Sequence, residues 1–347
     1  MKPLPTRSGC CRAPNNNCCS SDAKDAPLVS TSLSFKDRLG GWKVRWGIGR
    51  VNYQVEPGLY AVGKPDGDSP VLVSANYKLT FDTLRKNLVG LDCWLLILDT
   101  KGVNVWCAAG KKTFGTSELI NRLEAVKLSE RVRHRKLILP QLGAPGVSAP
   151  EIARRAGFSV IYGPVRASDL KAFISSGYQA TKEMRTVSFT LRDRLVLTPV
   201  ELVQAAKKSL SVFGVLFLLN LFAAKPFDVN DFAVCAGTIF IGAVLTPVLL
   251  PFIPGRAFAF KGWLLGLCWA TLAVGVLGWF APGRRLFAAG YLLALPAVAA
   301  YLAMNFTGSS TYTSPSGVLK EMKIALPLIV ISAIVGSALT IIGHLMG

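Results

Sequence analysis

Acidic residues and histidine are scarce in this chain. Its 347 residues carry 20 Asp and Glu against 39 Lys and Arg, a net charge of +19, with 2 histidines. His134 is the only histidine ahead of the long apolar runs and sits in Arg133-His134-Arg135, a surface setting. Eight cysteines are present, yet no four-cysteine ferredoxin run and no zinc-finger spacing is found among them. A phosphate loop is excluded at Gly110-Lys111-Lys112-Thr113, because Val105 stands where a glycine is needed and Lys112 where Ser or Thr is needed. A dinucleotide fingerprint is excluded at Gly47-Ile48-Gly49, because Asn52 replaces the third glycine. The first 34 residues contain no apolar signal-peptide core. No nucleic-acid motif accompanies the positive charge. That charge therefore fits anionic lipid or a cytoplasmic location enforced by the positive-inside rule.

The composition is uneven. Up to Lys208 there are 32 Lys and Arg against 17 Asp and Glu; beyond it there are 7 against 3. Residues 1–34 read as a disordered tail, 35–200 as a basic α/β domain, and 201–347 as an all-α transmembrane domain. Five apolar stretches are expected to span a bilayer, at 206–224, 232–253, 262–281, 286–304 and 324–346. With the basic domain inside, Arg256 and Lys261 fall inside as the rule requires, whereas Arg284 and Arg285 fall outside against it. No span carries an acid–base pair, which counts against a proton-coupled transporter.

Within 35–200 the pattern alternates. Apolar runs at 70–74, 94–99, 137–139 and 158–162 predict strands of a mostly parallel sheet. Helices are expected at 80–88, 116–127, from Ser148 to Arg155, and from Ser168 to Ile174, with Pro57-Gly58-Leu59-Tyr60 as a turn. This is a Rossmann-like arrangement, and its loops at 100–103, 140–146 and 163–166 follow strand ends, where such sheets bind ligands. One insert stands out. After Asp99-Thr100-Lys101-Gly102 comes Asn104-Val105-Trp106-Cys107-Ala108-Ala109-Gly110-Lys111, a short helical segment presenting one cysteine. A lone cysteine among small apolar residues is ordinarily a buried structural thiol. A cysteine near a helix start beside Lys111 and Lys112 is alternatively expected to have a lowered pKa.

The octet, directly after its Asp-Thr-Lys-Gly turn, resembles the signature of the HgcA family, the corrinoid proteins of microbial mercury methylation. The resemblance extends over roughly 38–205 and into the apolar part. It also reaches the corrinoid iron–sulfur proteins of acetyl-CoA synthesis. It implies a corrinoid-binding domain whose octet is a cap helix, with Cys107 as lower axial ligand of the cobalt of a base-off, cobalamin-type corrinoid. It implies cofactor contacts from Thr100, Val103, Asn104, Val105, Trp106, Cys107, Ala108, Ala109, Gly110, Lys111, Gln141, Gly143, Gly146 and Gly163. The chain lacks the Asp-x-His-x-x-Gly run of histidine-ligated cobalamin domains, and it departs from the iron–sulfur relatives in having no cluster of its own.

The activity so implied is a corrinoid-dependent methyltransferase passing a methyl group from a methylcorrinoid to inorganic Hg(II), giving methylmercury. The implied partners are an HgcB-like ferredoxin with 4Fe–4S clusters, a methyl donor protein or the methyltetrahydrofolate pathway, Hg(II) and the lipid bilayer, with no nucleic acid. The implied location is the cytoplasmic membrane of an anaerobic cell, the corrinoid domain facing the cytoplasm. Cys10-Cys11 and Cys18-Cys19 either belong to an inert tail or capture a soft metal. A membrane-anchored methyl carrier with another physiological acceptor fits the same residues. A transporter with a regulatory α/β domain fits the scarce intramembrane charge poorly.

Overall fold

The computed structural model describes residues 26–221, 229–310 and 312–346. Its first part is a five-stranded sheet in the order β1-β3-β2-β4-β5, formed by β1 (Gly58–Val62), β2 (Val71–Ala75), β3 (Cys93–Leu98), β4 (Lys136–Leu139) and β5 (Ser159–Tyr162). β2 to β5 pair in parallel, whereas β1 runs antiparallel on the edge of β3, from Gly58 opposite Ile97 to Val62 opposite Cys93. β1 replaces the turn expected at Pro57–Tyr60. Leu59, Ala61 and Val62 are buried, so this run gains more by covering the open edge of β3 than by turning.

β2 is buried along its whole length. A central parallel strand covered on both faces reads as a near-continuous apolar run, which is why Val71-Leu72-Val73 was legible. The chain places β3 on one side of β2 and then returns to place β4 on the other. The strand order thus reverses at β2, and a doubly wound sheet opens a crevice at that point beyond its carboxyl ends.

The helices of this part are α1 (Phe35–Arg45), α2 (Lys78–Arg85), α3 (Val105–Gly110), α4 (Thr116–Ala125), α5 (Leu128–Arg131), α6 (Ala149–Ala156), α7 (Leu170–Ser175) and α8 (Lys182–Arg185). Two apolar cores flank the sheet. One gathers Val73, Leu96, Ala108, Phe114, Leu119, Leu137 and Ile152; the other gathers Leu72, Phe81, Leu88, Leu95, Ile97 and Phe173.

The amino-terminal segment departs from expectation. Residues 1–25, with both cysteine pairs, lie outside the described residues. Residues 26–34 are structured rather than tail-like. Val29 N donates to Ala61 O and Ala61 N to Pro27 O, which adds a bridge to β1. Ser34 then caps α1 in a reciprocal capping box with Asp37. Asp37 also binds Lys78 at 2.6 Å and Arg85 at 2.8 Å, and Arg85 donates to the carbonyls of Ser30 and Ser32. Asp82 completes the network with both cations. These long-range ion pairs, invisible in local sequence, hold the segment and α1 against α2.

The second part comprises α9 (Leu191–Asn220), α10 (Val229–Phe240), α11 (Thr246–Leu249), α12 (Phe258–Val276), α13 (Arg285–Asn305) and α14 (Pro315–Met346). A π-turn at Ile241–Leu245 makes α10 and α11 one continuous helix. Among the described residues, four helical stretches are long and apolar enough to cross a membrane: Val229–Leu249, Phe258–Val276, Arg285–Gly308 and Ser316–Gly343. The expected span at 206–224 is not among them. It is the second half of α9, where Lys207 and Lys208 dilute the apolar run, and its last residues lie outside the described residues. Two ionisable groups in the spans are buried, Asp231 and Lys261. They are not paired with each other: Tyr291 Oη donates to Asp231 at 2.6 Å, and Lys261 Nζ donates to the carbonyl of Leu250.

Candidate functional site

The crevice at the strand-order reversal is a cleft of about 420 Å³. Its floor is the carboxyl end of β2 (Leu72, Val73, Ser74) and of β4 (Ile138, Leu139). Its walls are α2 on one side and Pro140, Leu142, Gly163 and Pro164 on the other, with the start of α3 at the mouth. Apolar side chains dominate, as in most small-molecule sites.

α3 stands where the octet predicts it, immediately past β3. Asn104 is its N-cap, and its Oδ1 accepts from Cys107 N at 2.9 Å. That bond satisfies a helix-start donor and fixes the backbone under the thiol. The helix divides the octet into two faces. Val105, Ala108 and Ala109 are buried, whereas Trp106, Gly110 and Lys111 are exposed and Cys107 is half-buried. Ala108 and Ala109 are small, which leaves room for a close approach on their side of the helix. That room serves the core. Gly146 packs so closely that a Cβ there would lie 3.1 Å from Ala109 Cα and collide with the Phe114 carbonyl oxygen. A Cβ on Gly143 would lie 2.5 Å from the Phe114 ring. Gly143 and Gly146 therefore seat the one-turn helix Gln141–Gly146 against α3, and they support the cleft from behind.

Thr100 and Val103 are likewise framework. Thr100 is fully buried, with its hydroxyl 2.8 Å from Asn76 Oδ1 and 2.6 Å from the Val103 carbonyl. Asn76 Oδ1 also accepts from the backbone N–H of Thr100 and of Gly102, at 3.1 and 3.0 Å. One buried amide thus holds the loop that aims α3 (a role that sequence reasoning missed). The available signal was an Asn just past a strand that reads as buried, a position that usually must satisfy backbone donors. Of the remaining expected contacts, Asn104, Val105, Trp106 and Gly163 line the cleft. Gln141 is tied to Arg185 at 3.1 Å.

Cys107 lies at the rim rather than among the cleft-lining residues. It contrasts with Cys93, which is fully buried at the start of β3. Burial pushes the Cys93 thiol up to about 12, and the neighbouring Asp92 charge adds to this. Cys93 is a structural thiol, while Cys107 is accessible beside an apolar cleft. No group of three or more His, Cys, Asp or Glu able to hold a metal ion occurs among the described residues. A metal at this site would need most of its ligands from a bound organic group.

A corrinoid, which carries most of the ligands of its own metal, would fit these residues. It would need a further donor, an open surface and a recess. The half-buried thiol, the exposed face of α3 and the adjoining cleft match those needs. Tyr77 and Arg45 also line the cleft.

Residues 48–174 match the family described as CO dehydrogenase/acetyl-CoA synthase delta subunit. The acetyl-CoA decarbonylase/synthase complex subunit gamma of Archaeoglobus fulgidus is 34% identical over 131 residues, 37% of this chain and 27% of that protein. The gamma subunit of Methanopyrus kandleri is 33% identical over 127 residues, 36% of this chain and 27% of that protein. Gamma subunit 2 of Methanosarcina thermophila is 30% identical over 133 residues, 37% of this chain and 28% of that protein. The chain thus spans about a quarter of the length of the curated relatives it matches. The matched family segment contains β1 to β5, α3 and every cleft-lining residue but Arg45; the four apolar helices fall outside it.

Proposed function

We propose that this chain is a membrane-anchored corrinoid methyltransferase in which Cys107 is the lower axial ligand, with inorganic Hg(II) as methyl acceptor. One observation carries the reading: a half-buried cysteine is presented on a capped helix at the strand-order reversal of the sheet, beside an apolar cleft. When bound, the corrinoid supplies a cobalt that accepts, holds and releases a methyl group. Asn104 orients the turn that carries the thiol. Asn76 holds the loop before it, and Gly143 and Gly146 let the supporting turn close behind it. The exposed Trp106 precedes the thiol on α3 and lines the cleft. A thiolate is a strong electron donor. Held by Cys107, a corrinoid would be disposed to give up the methyl group as a carbanion or radical equivalent rather than as a cation, which suits an electrophilic acceptor such as Hg(II).

The acceptor rests on the likeness of the octet to the mercury-methylating corrinoid proteins. The similarity to acetyl-CoA decarbonylase/synthase gamma subunits supports a second reading, in which the same site serves a carrier whose physiological acceptor belongs to one-carbon metabolism. Under either reading the electron donor is a separate ferredoxin-like protein with 4Fe–4S clusters. The methyl group comes from a folate-linked donor, and the α/β domain faces the cytoplasm.

The test is the anaerobic visible spectrum of the purified full chain supplied with cobalamin, wild type beside Cys107→Ala. A bound corrinoid whose spectrum changes when Cys107 is lost is expected. A folded wild-type protein that binds no corrinoid would overturn both readings. With corrinoid bound, methylmercury formation from Hg(II) at limiting concentration separates the two acceptors.

A further inference from the structure

α1 carries its apolar stripe on the side away from the core. Phe35, Leu39, Trp42 and Trp46 follow one another at helical spacing and so share one face. Phe35 is 78% and Trp42 58% exposed, Leu39 is exposed and Trp46 is half-buried. The two indole rings stand 6.0 Å apart. The opposite face is the packed one: Gly41 and Val44 are buried there, and Asp37 turns inward onto Lys78 and Arg85. Exposed Ile48 and Val51 carry the apolar surface on past the helix. Single exposed apolar residues are ordinary, but a contiguous run with two tryptophans marks an interaction surface.

The charge around the stripe says what it meets. From Phe35 to Val51 the chain has five Lys and Arg and one acid, the inward Asp37. Lys36 and Lys43 flank the stripe on one side and Arg38 on the other, all exposed. Arg50 stands exposed between Ile48 and Val51. A tryptophan-bearing apolar stripe between basic flanks is the pattern of a helix lying in the headgroup layer of an anionic bilayer.

The fold holds α1 at the matching depth. A Cβ on Gly47, just past α1, would lie 4.0 Å from the side chains of Val200 and Val203 on α9. Arg194, earlier on α9, donates to the Val248 carbonyl and to Tyr312 Oη. Val248 is at the end of one apolar span and Tyr312 lies just ahead of another, so Arg194 marks the edge of the lipid. Val200 and Val203 are about 9 to 14 Å further along α9 at 1.5 Å per residue. That direction is into the bilayer, since Leu202 and Ala205 pack with Ala243 and Leu302 inside the spans. The end of α1 is thus pinned beside the spans near the level where they leave the hydrocarbon.

We propose that α1 lies in the headgroup layer of an anionic bilayer, with its stripe at the acyl boundary and Lys36, Arg38, Lys43 and Arg50 on lipid phosphates. This rests on the membrane anchoring above and is independent of the corrinoid. It gives the α/β part its own attachment to the membrane besides the spans. Arg45, on the same helix, lines the cleft, so the lipid surface sets how the cleft stands against the membrane.

The experiment is hydroxyl-radical footprinting, read by mass spectrometry, of the full chain in lipid nanodiscs. The discs are phosphatidylcholine alone or phosphatidylcholine with phosphatidylglycerol. Trp94, half-buried on β3, is the reference. Oxidation of Trp42 relative to Trp94 is expected to fall about fivefold or more when phosphatidylglycerol is present, the effect of at least one basic residue meeting an anionic surface. Raising the ionic strength should reverse that protection in the wild type itself. The combined variant Lys36→Gln, Arg38→Gln and Lys43→Gln should bring Trp42 within about twofold of its value in phosphatidylcholine. These three side chains are exposed, so the fold is expected to survive their loss, and the salt titration serves if it does not. Trp42 open in both discs would overturn the proposal and leave the stripe to a protein partner. Equal protection in both discs, or protection that persists in the combined variant, would overturn the recognition of anionic lipid. A chain that enters neither disc would remove the membrane anchoring beneath it.

Discussion

The α/β part and the helical part solve packing in different solvents, and their glycines show how. In the α/β part Gly143 and Gly146 admit a large ring and a carbonyl, those of Phe114, at a single point behind the cleft. In the helical part glycines recur along helix faces. A Cβ on Gly262 would meet Ala303 Cβ at 2.5 Å, one on Gly266 would meet Ala299 Cβ at 2.7 Å, and one on Gly336 would meet Ala294 N at 2.6 Å. Water drives large side chains together in the first case. Lipid gives helices no such drive, so backbones approach through small residues instead. α13 is the hub of that approach. Its span is 61% buried within the protein, against 11% for the span on α14.

The largest effects should come from violating each rule in its own part. Gly146→Val in the full chain is expected to cost about 3 kcal/mol or more of α/β stability by overpacking. Corrinoid binding should be lost, with the helical signal in circular dichroism largely retained. Gly266→Leu is the mirror image: the helical part should loosen in detergent melts while corrinoid affinity is kept. If either variant disables both parts equally, the two do not fold as separately as their packing implies.

The ion-pair network is next. Burial works to raise the Asp37 carboxyl, but hydrogen bonds from Lys78, Ser34 and Arg85 outweigh it and hold it well below the usual carboxylate range. The folded value is depressed, so the stabilisation is present above the unfolded value near 4 and drains away as pH falls toward the folded one. Acid titration of the full chain should therefore weaken the α/β part first below about pH 4. Asp37→Asn should remove much of that pH dependence. It should also cost about 2 kcal/mol at neutral pH, since Arg85 is left buried beside one fewer carboxylate. Around α13 small Gly and Ala residues pack together with the Trp279–Phe287–Tyr291 ring cluster, and Tyr291 Oη donates to the buried Asp231.

Smaller effects sharpen the site itself. Asn104→Ala should cost about 1 kcal/mol by loss of the cap, and should change the corrinoid spectrum less than Cys107→Ala does. In alkylation mapped by mass spectrometry at pH 8, Cys107 should react in the folded protein. Cys93, fully buried and raised to about 12, should react only after unfolding.

Much of the α/β part was legible in the chain. β2 to β5 are buried parallel strands and announce themselves as apolar runs bounded by turns. Asn104 as a cap and the octet as a short helix follow from local chemistry. β1 was less legible because an edge strand is short and opens on Pro57-Gly58, which reads as a turn. The span expected at 206–224 includes Lys207 and Lys208 and runs into residues outside the described ones. Asn76 stands just past a buried strand, but which backbone groups it holds depends on partners met across the fold.

The sequence by itself determined where the strands lie, which helices are apolar enough for lipid, and which cysteine stands just past a strand. Those are matters of periodicity and local composition, and short-range sterics and solvation set them. Tertiary structure alone decided that Ala108 and Ala109 face inward and that Asn76 holds the loop. It alone brought Arg45 and Tyr77 into one crevice with the rim that carries Cys107. Burial and hydrogen-bond satisfaction belong to the assembled surroundings of a side chain, and they exist only once distant segments have packed.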